Sequence, residues 1–254
     1  VQRQPGKVAL LVTCVVDALA PGTGAAVVRV LRRRGIEVVF PQDQGCCGQP
    51  AWNSGLVREA ALVARPTLKA LARALARGAE AVVCPSGSCT TMCRVHWPEL
   101  FSLAGMAAEA QEARRVGERV LEFSELVARL PALPTRPDGR RVALHHSCHM
   151  LREELGLRHQ PVMLAERAGC QVLPWPGAER CCGFGGTFSV KLPELSAAMA
   201  EEKLRELDSL CPEALIGCDT SCLLHLAGRA RARGRDLVVT HLAEVLDAAE
   251  SGHG

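Results

Sequence analysis

Gly45-Cys46-Cys47-Gly48 recurs as Arg180-Cys181-Cys182-Gly183, 135 residues further along the 254-residue chain. A repeated pair of adjacent cysteines prompts a search outward for other matches. Cys14 finds a counterpart in Cys148, Cys84 in Cys218 and Cys89 in Cys222, each 133 or 134 residues on. The neighbouring apolar runs agree too: Val8–Thr13 matches Val142–Ser147, and Ala81-Val82-Val83-Cys84 matches Leu215-Ile216-Gly217-Cys218. Five cysteines in the same order and spacing make the chain an internal duplication, with Cys93, Cys170 and Cys211 outside the pattern. Pro131, Pro134, Pro137 and Gly139 mark a linker between the halves. Residues 1–134 and 135–254 are therefore expected to form two domains.

Each half reads as alternating strands and helices. Lys7–Thr13 is a short β-branched run, hence a buried strand. Thr23–Arg34 has helical spacing and ends at Gly35. Ile36–Phe40 is a strand, Ser54–Arg77 a helix interrupted or kinked at Pro66, Glu80–Cys84 a strand and Met106–Leu130 a further helix. The second half gives strands at Arg141–His146, Gln171–Leu173, Ala214–Gly217 and Leu237–Thr240. Its helices fall at Gln160–Ala168, Leu195–Ser209, Cys222–Arg233 and His241–Ala249. Such alternation predicts an α/β chain of two duplicated Rossmann-like domains. Each is a small, mostly parallel sheet flanked by helices, the pair related by pseudo-twofold symmetry.

On this reading Cys14, the Cys46-Cys47 pair and Cys84 all follow strands, as do Cys148, the Cys181-Cys182 pair and Cys218. The carboxyl edge of an open α/β sheet is where ligands bind, so five thiols per half are expected to converge there. Cys89 and Cys222 fall at or near helix starts, which lower thiol pKa values. Soft thiolates suit iron, zinc and copper(I), and iron–sulfur clusters are held by cysteine thiolates. Gly48, Gly183, Gly185 and Gly186 allow backbone N–H groups to approach cluster sulfurs, and Phe184 and Phe188 are placed to exclude water. The competing readings are vicinal disulfides, which leave the other repeated thiols unexplained, structural zinc in one or both halves, and plain buried cysteines. His145, His146, His149, His225 and His241 are expected not to ligate, with His146 and His149 the candidates for tuning a nearby metal group.

Thirteen cysteines fit a metal or redox role in a reducing compartment better than a disulfide framework, so a cytoplasmic address is expected. Thirty basic against 27 acidic residues is too even a balance for nucleic-acid binding. No stretch reaches the ~20 apolar residues of a membrane helix. Gly22-Thr23-Gly24 is followed by Val27 where a dinucleotide fingerprint needs its third glycine.

These residues resemble the cysteine-rich "CCG" domain proteins, and most closely the lactate utilisation protein A family of iron–sulfur oxidoreductase subunits. The resemblance is carried by Cys46–Gly55, Ser86-Gly-Ser-Cys89, His146–Met150, Cys181–Phe188 and Asp219–His225. Similar domains occur in glycolate oxidase iron–sulfur subunits and in the cysteine-rich subunit of heterodisulfide reductase. The resemblance implies cluster ligands at Cys14, Cys46, Cys47, Cys89, Cys148, Cys181, Cys182 and Cys222. The wider motif ends in C-x-x-C, whereas this chain has Cys84-Pro-Ser-Gly-Ser-Cys89 and Cys218-Asp-Thr-Ser-Cys222. If Cys84 and Cys218 also ligate, a noncubane cluster becomes possible; if they do not, four cysteines per half suit a [4Fe–4S] cubane.

The function so implied is an electron-transfer subunit of an L-lactate (or glycolate) oxidising complex. It would work with a ferredoxin-type iron–sulfur subunit and a third small subunit. Cluster-based catalysis of the heterodisulfide reductase type and a zinc-stabilised, non-enzymatic scaffold are the alternatives.

Overall fold

The computed structural model describes residues 4–136, 139–152 and 155–251. The chain divides into two compact units at Pro131–Ala132. The first contains β1 (Lys7–Leu10), α1 (Cys14–Leu19), α2 (Pro21–Arg33), β2 (Glu37–Val39), α3 (Gln49–Trp52) and α4 (Val57–Ala76). It continues through β3 (Ala81–Cys84), α5 (Gly87–Thr91), a π-helical turn (Met92–His96), α6 (Trp97–Leu103), α7 (Ala107–Gly117), β4 (Val120–Glu122) and α8 (Phe123–Ala128). The second contains β5 (Arg141–His145), α9 (Cys148–Leu151), α10 (His159–Arg167), β6 (Gln171–Leu173) and a 3-10 turn (Pro176–Glu179). There follow α11 (Phe188–Lys191), α12 (Pro193–Leu210), β7 (Ala214–Gly217), α13 (Thr220–Ala232), β8 (Val239–His241) and α14 (Leu242–Glu250).

Each unit is a four-stranded, all-parallel sheet, in the order β2-β1-β3-β4 and β6-β5-β7-β8. The central strands are near-continuous apolar runs, as burial on both faces requires. Val8, Ala9 and Leu10 in β1 and all four residues of β3 are buried, and so are Ala214–Gly217 in β7. Helices cover the sheets. α4 buries Ala60, Ala64, Leu68 and Leu71 against Ala9, Leu11, Val82 and Trp97 in one continuous core. No helix among the described residues is long and apolar enough to cross a membrane.

Two elements differ from the sequence reading. The helix expected over Met106–Leu130 is three elements, because Val120-Leu121-Glu122 leaves it to pair with β3 as the fourth strand. Glu122 then caps α8: its carboxylate accepts from the Ser124 and Glu125 N–H groups, and Glu125 answers to the Glu122 N–H. α4 in turn runs unbroken for twenty residues through Pro66, where the sequence predicts an interruption or a kink; it is not interrupted.

The Glu122 cap lies wholly in the interior, and burial pushes its carboxyl up to about 8 from a usual 4.5. A carboxyl protonated in the fold but ionised in the unfolded chain makes stability fall as pH rises between those two values. Thermal melts should therefore show wild-type stability declining across that window more steeply than Glu122→Gln, by about 2–6 °C. Parallel curves for the two proteins would remove Glu122 as the cause.

Candidate metal centre

In both units the repeated cysteines gather at the carboxyl edge of the sheet, wired in the same way. Cys14 opens α1 just after β1, and Cys148 opens α9 just after β5. The cysteine pairs sit in the loops that leave β2 and β6. In the first unit Gln44 pins that loop to β1: its amide oxygen accepts from Val12 N at 2.9 Å, and its amide nitrogen donates to Leu10 O at 3.0 Å. Cys89 lies in α5, whose cap Ser86 accepts from the Cys89 N–H at 3.3 Å. Cys222 lies in the first turn of α13.

The sulfurs touch. Cys47 Sγ is 3.4 Å from Cys89 Sγ, and Cys182 Sγ is 3.0 Å from Cys222 Sγ. Cys46 accepts hydrogen bonds from the thiols of Cys14 and Cys47, which drives its own thiol down to about 3. Cys181 stands in the same relation to Cys148 and Cys182 and is driven down to about 2. The donors move the other way: Cys14 and Cys47 in one unit, and Cys148 and Cys182 in the other, hold their protons against these thiolates. In each unit one sulfur thus stands between two others, with a fourth beyond. All thirteen cysteines are free, so neither Cys-Cys pair is a vicinal disulfide.

Gly48 and Gly183 each donate a backbone N–H to the sulfur two residues earlier, Cys46 and Cys181, at 3.4 Å. Only glycine suits these places. Their φ angles are +90° and +88°, and a Cβ would lie 2.7 Å from Ala60 O or 2.6 Å from Ser196 O. Phe184 donates its N–H to Cys182 Sγ at 3.5 Å and sets its ring 5.9 Å from that of His225. Gly185 and Gly186 serve the turn into α11, accepting from Phe188 N and Ser189 Oγ. Phe184 and Phe188 are both half-buried. Of the cysteines outside the repeat, Cys93 is buried in the π-helical turn, Cys170 is buried beyond α10, and Cys211 is exposed, donating to Asp208 O at 3.1 Å.

The lower walls differ between the units. Thr67 on α4 holds the first loop, donating to Cys46 O at 3.1 Å and accepting from Gly45 N at 2.9 Å. In the second unit Lys203 on α12 holds the loop carbonyls, Arg180 O at 2.6 Å and Gly177 O. Its ammonium lies 4.9 Å over the Trp175 ring, and burial pulls it down to about 8. Trp97 braces the first unit, donating from Nε1 to Cys47 O at 2.8 Å.

The histidines around Cys148 take separate places. His149 Nδ1 is 3.6 Å from Cys148 Sγ, and His146 is buried, its imidazole pulled down to about 4 by that burial. His145, at the end of β5, lies with Cys182 and Cys222 so that their donor atoms are all within 4.8 Å of one another. His225 shares a hydrogen bond with Ser196, and His241 caps α14.

The CCG family, a cysteine-rich domain, matches residues 8–94 and again residues 142–227. The class is therefore a tandem cysteine-rich domain protein, with one sulfur-lined sheet edge per domain. Lactate utilization protein A of Bacillus subtilis (strain 168) is 40% identical over 246 residues, 95% of this chain and 99% of that protein. The protein of the same name from Geobacillus thermodenitrificans (strain NG80-2) is 39% identical over 245 residues, 95% and 98% of the two chains. The chain belongs to the lactate utilization protein A family. Among solved structures, a hypothetical protein from Helicobacter pylori shares the fold, with a TM-score of 0.65 at 11% identity. That likeness covers 99% of this chain and half of the other.

Gly183→Ala should cost about 2–3 kcal/mol, because it combines left-handed strain with a backbone collision. Gly228→Ala, at a helical position with nothing within 4 Å of the added carbon, should instead stabilise by about 0.5–1 kcal/mol. Denaturant titration of the two variants checks both signs, and equal midpoints would show that the loop yields at Gly183.

Proposed function

We propose that the chain holds two iron–sulfur clusters, one per unit, and relays electrons in the oxidation of lactate. The observation that carries this reading is the duplicated constellation: in each unit four cysteine sulfurs, each in contact with the next, meet at one sheet edge. The residues fit such a group on their own terms. In each unit four soft donors contact one another in succession, Cys14–Cys46–Cys47–Cys89 and Cys148–Cys181–Cys182–Cys222, and backbone N–H groups already point at their sulfurs. Polar atoms without partners border the second site: Nδ1 of His146, Oγ of Ser147 and Oγ1 of Thr220.

Cys14, Cys46, Cys47 and Cys89 would hold the first cluster, with Cys84 beside Cys89 as a fifth thiol. Cys148, Cys181, Cys182 and Cys222 would hold the second. The clusters supply one-electron transfer at potentials that charge, burial and hydrogen bonds to sulfur adjust. Gly48, Gly183 and Phe184 contribute those hydrogen bonds, and the α4 and α12 helices exclude water from beneath. The exposed Cys14 offers an edge for exchange with a partner. The names of the relatives point to lactate as the source of electrons. A ferredoxin-type iron–sulfur subunit and a third small subunit, in the cytoplasm, complete the proposed assembly.

Anaerobic purification with iron, sulfide and zinc analysis tests this. The expected result is about eight irons with matching sulfide per chain, and an electron paramagnetic resonance signal on reduction. Zinc without iron after anaerobic reconstitution would overturn the relay.

A further inference from the structure

The register of the central strands shows that the two sites are not copies. β1 pairs with β3 as Val8↔Ala81 through Leu10↔Val83, which sets Leu11 opposite Cys84. β5 pairs with β7 as Val142↔Ala214 through His145↔Gly217. The structural counterpart of Cys84 is therefore Gly217, and that of Leu11 is His145. The helix caps agree: Ser86 begins α5 and Asp219 begins α13, 133 residues apart, as are Cys89 and Cys222. Cys218, which the sequence spacing matches to Cys84, comes one residue later.

One residue changes the face. Ala9, Leu11, Val82 and Cys84 share a core with Cys47, and Ala143 and Leu215 share one with Cys182 and Cys222. Side chains alternate along a strand, so His145 and Gly217 belong to the sulfur-bearing face. Cys218 comes after the end of β7 and is not in the core cluster that holds Cys182 and Cys222. In the first unit the thiol of Cys84, beside Cys89, enters the site from β3. In the second unit that thiol is missing, and the neighbouring strand supplies an imidazole instead. His145 is 1% exposed, its ring lies beside the Ala178 carbonyl, and its donor atom lies within 4.8 Å of the sulfurs of Cys182 and Cys222.

Resting on the cluster reading above, we infer that the second unit binds its cluster through His145 in the place that Cys84 takes in the first, and that Cys218 is not a ligand. A neutral imidazole replaces an anionic thiolate, so less negative charge surrounds the second cluster. Its reduction potential is then the higher of the two, as histidine-for-cysteine ligation produces elsewhere, and electrons collect in the second unit.

The test uses the full chain, reconstituted anaerobically and labelled with ¹⁵N-histidine. Pulsed electron paramagnetic resonance of the reduced protein should show a strongly coupled imidazole nitrogen. Potentiometric titration should give two separate midpoints. His145→Leu should lose the nitrogen coupling and up to about half of the iron. Cys218→Ser should keep both the coupling and the iron. The double variant His145→Leu/Gly217→Cys, which writes the Leu11 and Cys84 pair into the second unit, should recover iron without the coupling and draw the midpoints together. Full iron in the wild type without a strongly coupled nitrogen would overturn the histidine ligand and leave the relay standing. So would loss of the second cluster in Cys218→Ser but not in His145→Leu. A wild type that takes up no iron would overturn the relay itself and the inference with it.

Discussion

Negative charge on sulfur is costly to hold at a sheet edge half-shielded from water, and both halves of this chain are arranged around that cost. Two thiol donors and a backbone N–H favour the charge on Cys46 and on Cys181. The requirement propagates outward. Bringing a backbone N–H onto sulfur within two residues forces the left-handed turn at Gly48 and Gly183, which seats the loop directly on the long helix beneath. The helix in turn supplies the polar grip, Thr67 in one case and Lys203 in the other, that keeps the loop carbonyls paired.

The parallel sheet is what makes such a gathering possible from cysteines dozens of residues apart. Every strand runs in the same direction, so every strand end delivers its next residues to one rim. Strand β1 yields Cys14, the loop after β2 yields the pair, and the β3–α5 connection yields the rest. Fastenings differ in character between the units. The first is tied by a neutral tryptophan and a threonine, the second by a buried lysine lying over Trp175.

Much of this is legible in the residue order. The repeated Cys-Cys-Gly, the apolar runs before it and the prolines between the halves are strong local signals, and Gln171–Leu173 and Ala214–Gly217 are strands with the bounds read from sequence. Strand β4 is hidden because Val120-Leu121-Glu122 is only three residues long, with helical patterns on both sides. The short helices α3, α9 and α11 lack the length that makes periodicity visible. The shift between Cys84 and Cys218 is hidden for a different reason. Both stretches are apolar residues ending in cysteine, and spacing alone cannot say which of two adjacent residues faces the site. His145 is one of five histidines near the second motif, and nothing in its neighbours distinguishes a buried ring facing the sulfurs from one that caps a helix. Backbone pairing decides both questions, and pairing is a property of the fold.

The π-helical turn at Met92–His96 separates the halves in another respect. Cys89 and Cys222 begin comparable helical runs, but α13 continues regularly for three turns while the first unit widens by one turn before α6. A wide turn accommodates an extra residue without breaking the helix, and each added residue rotates the remainder of the run by about 100°. Trp97 stands directly after this turn, and its indole arrives at the Cys47 carbonyl. A small change of winding, placed downstream of the sulfurs, decides which distant side chain can act as their bolt.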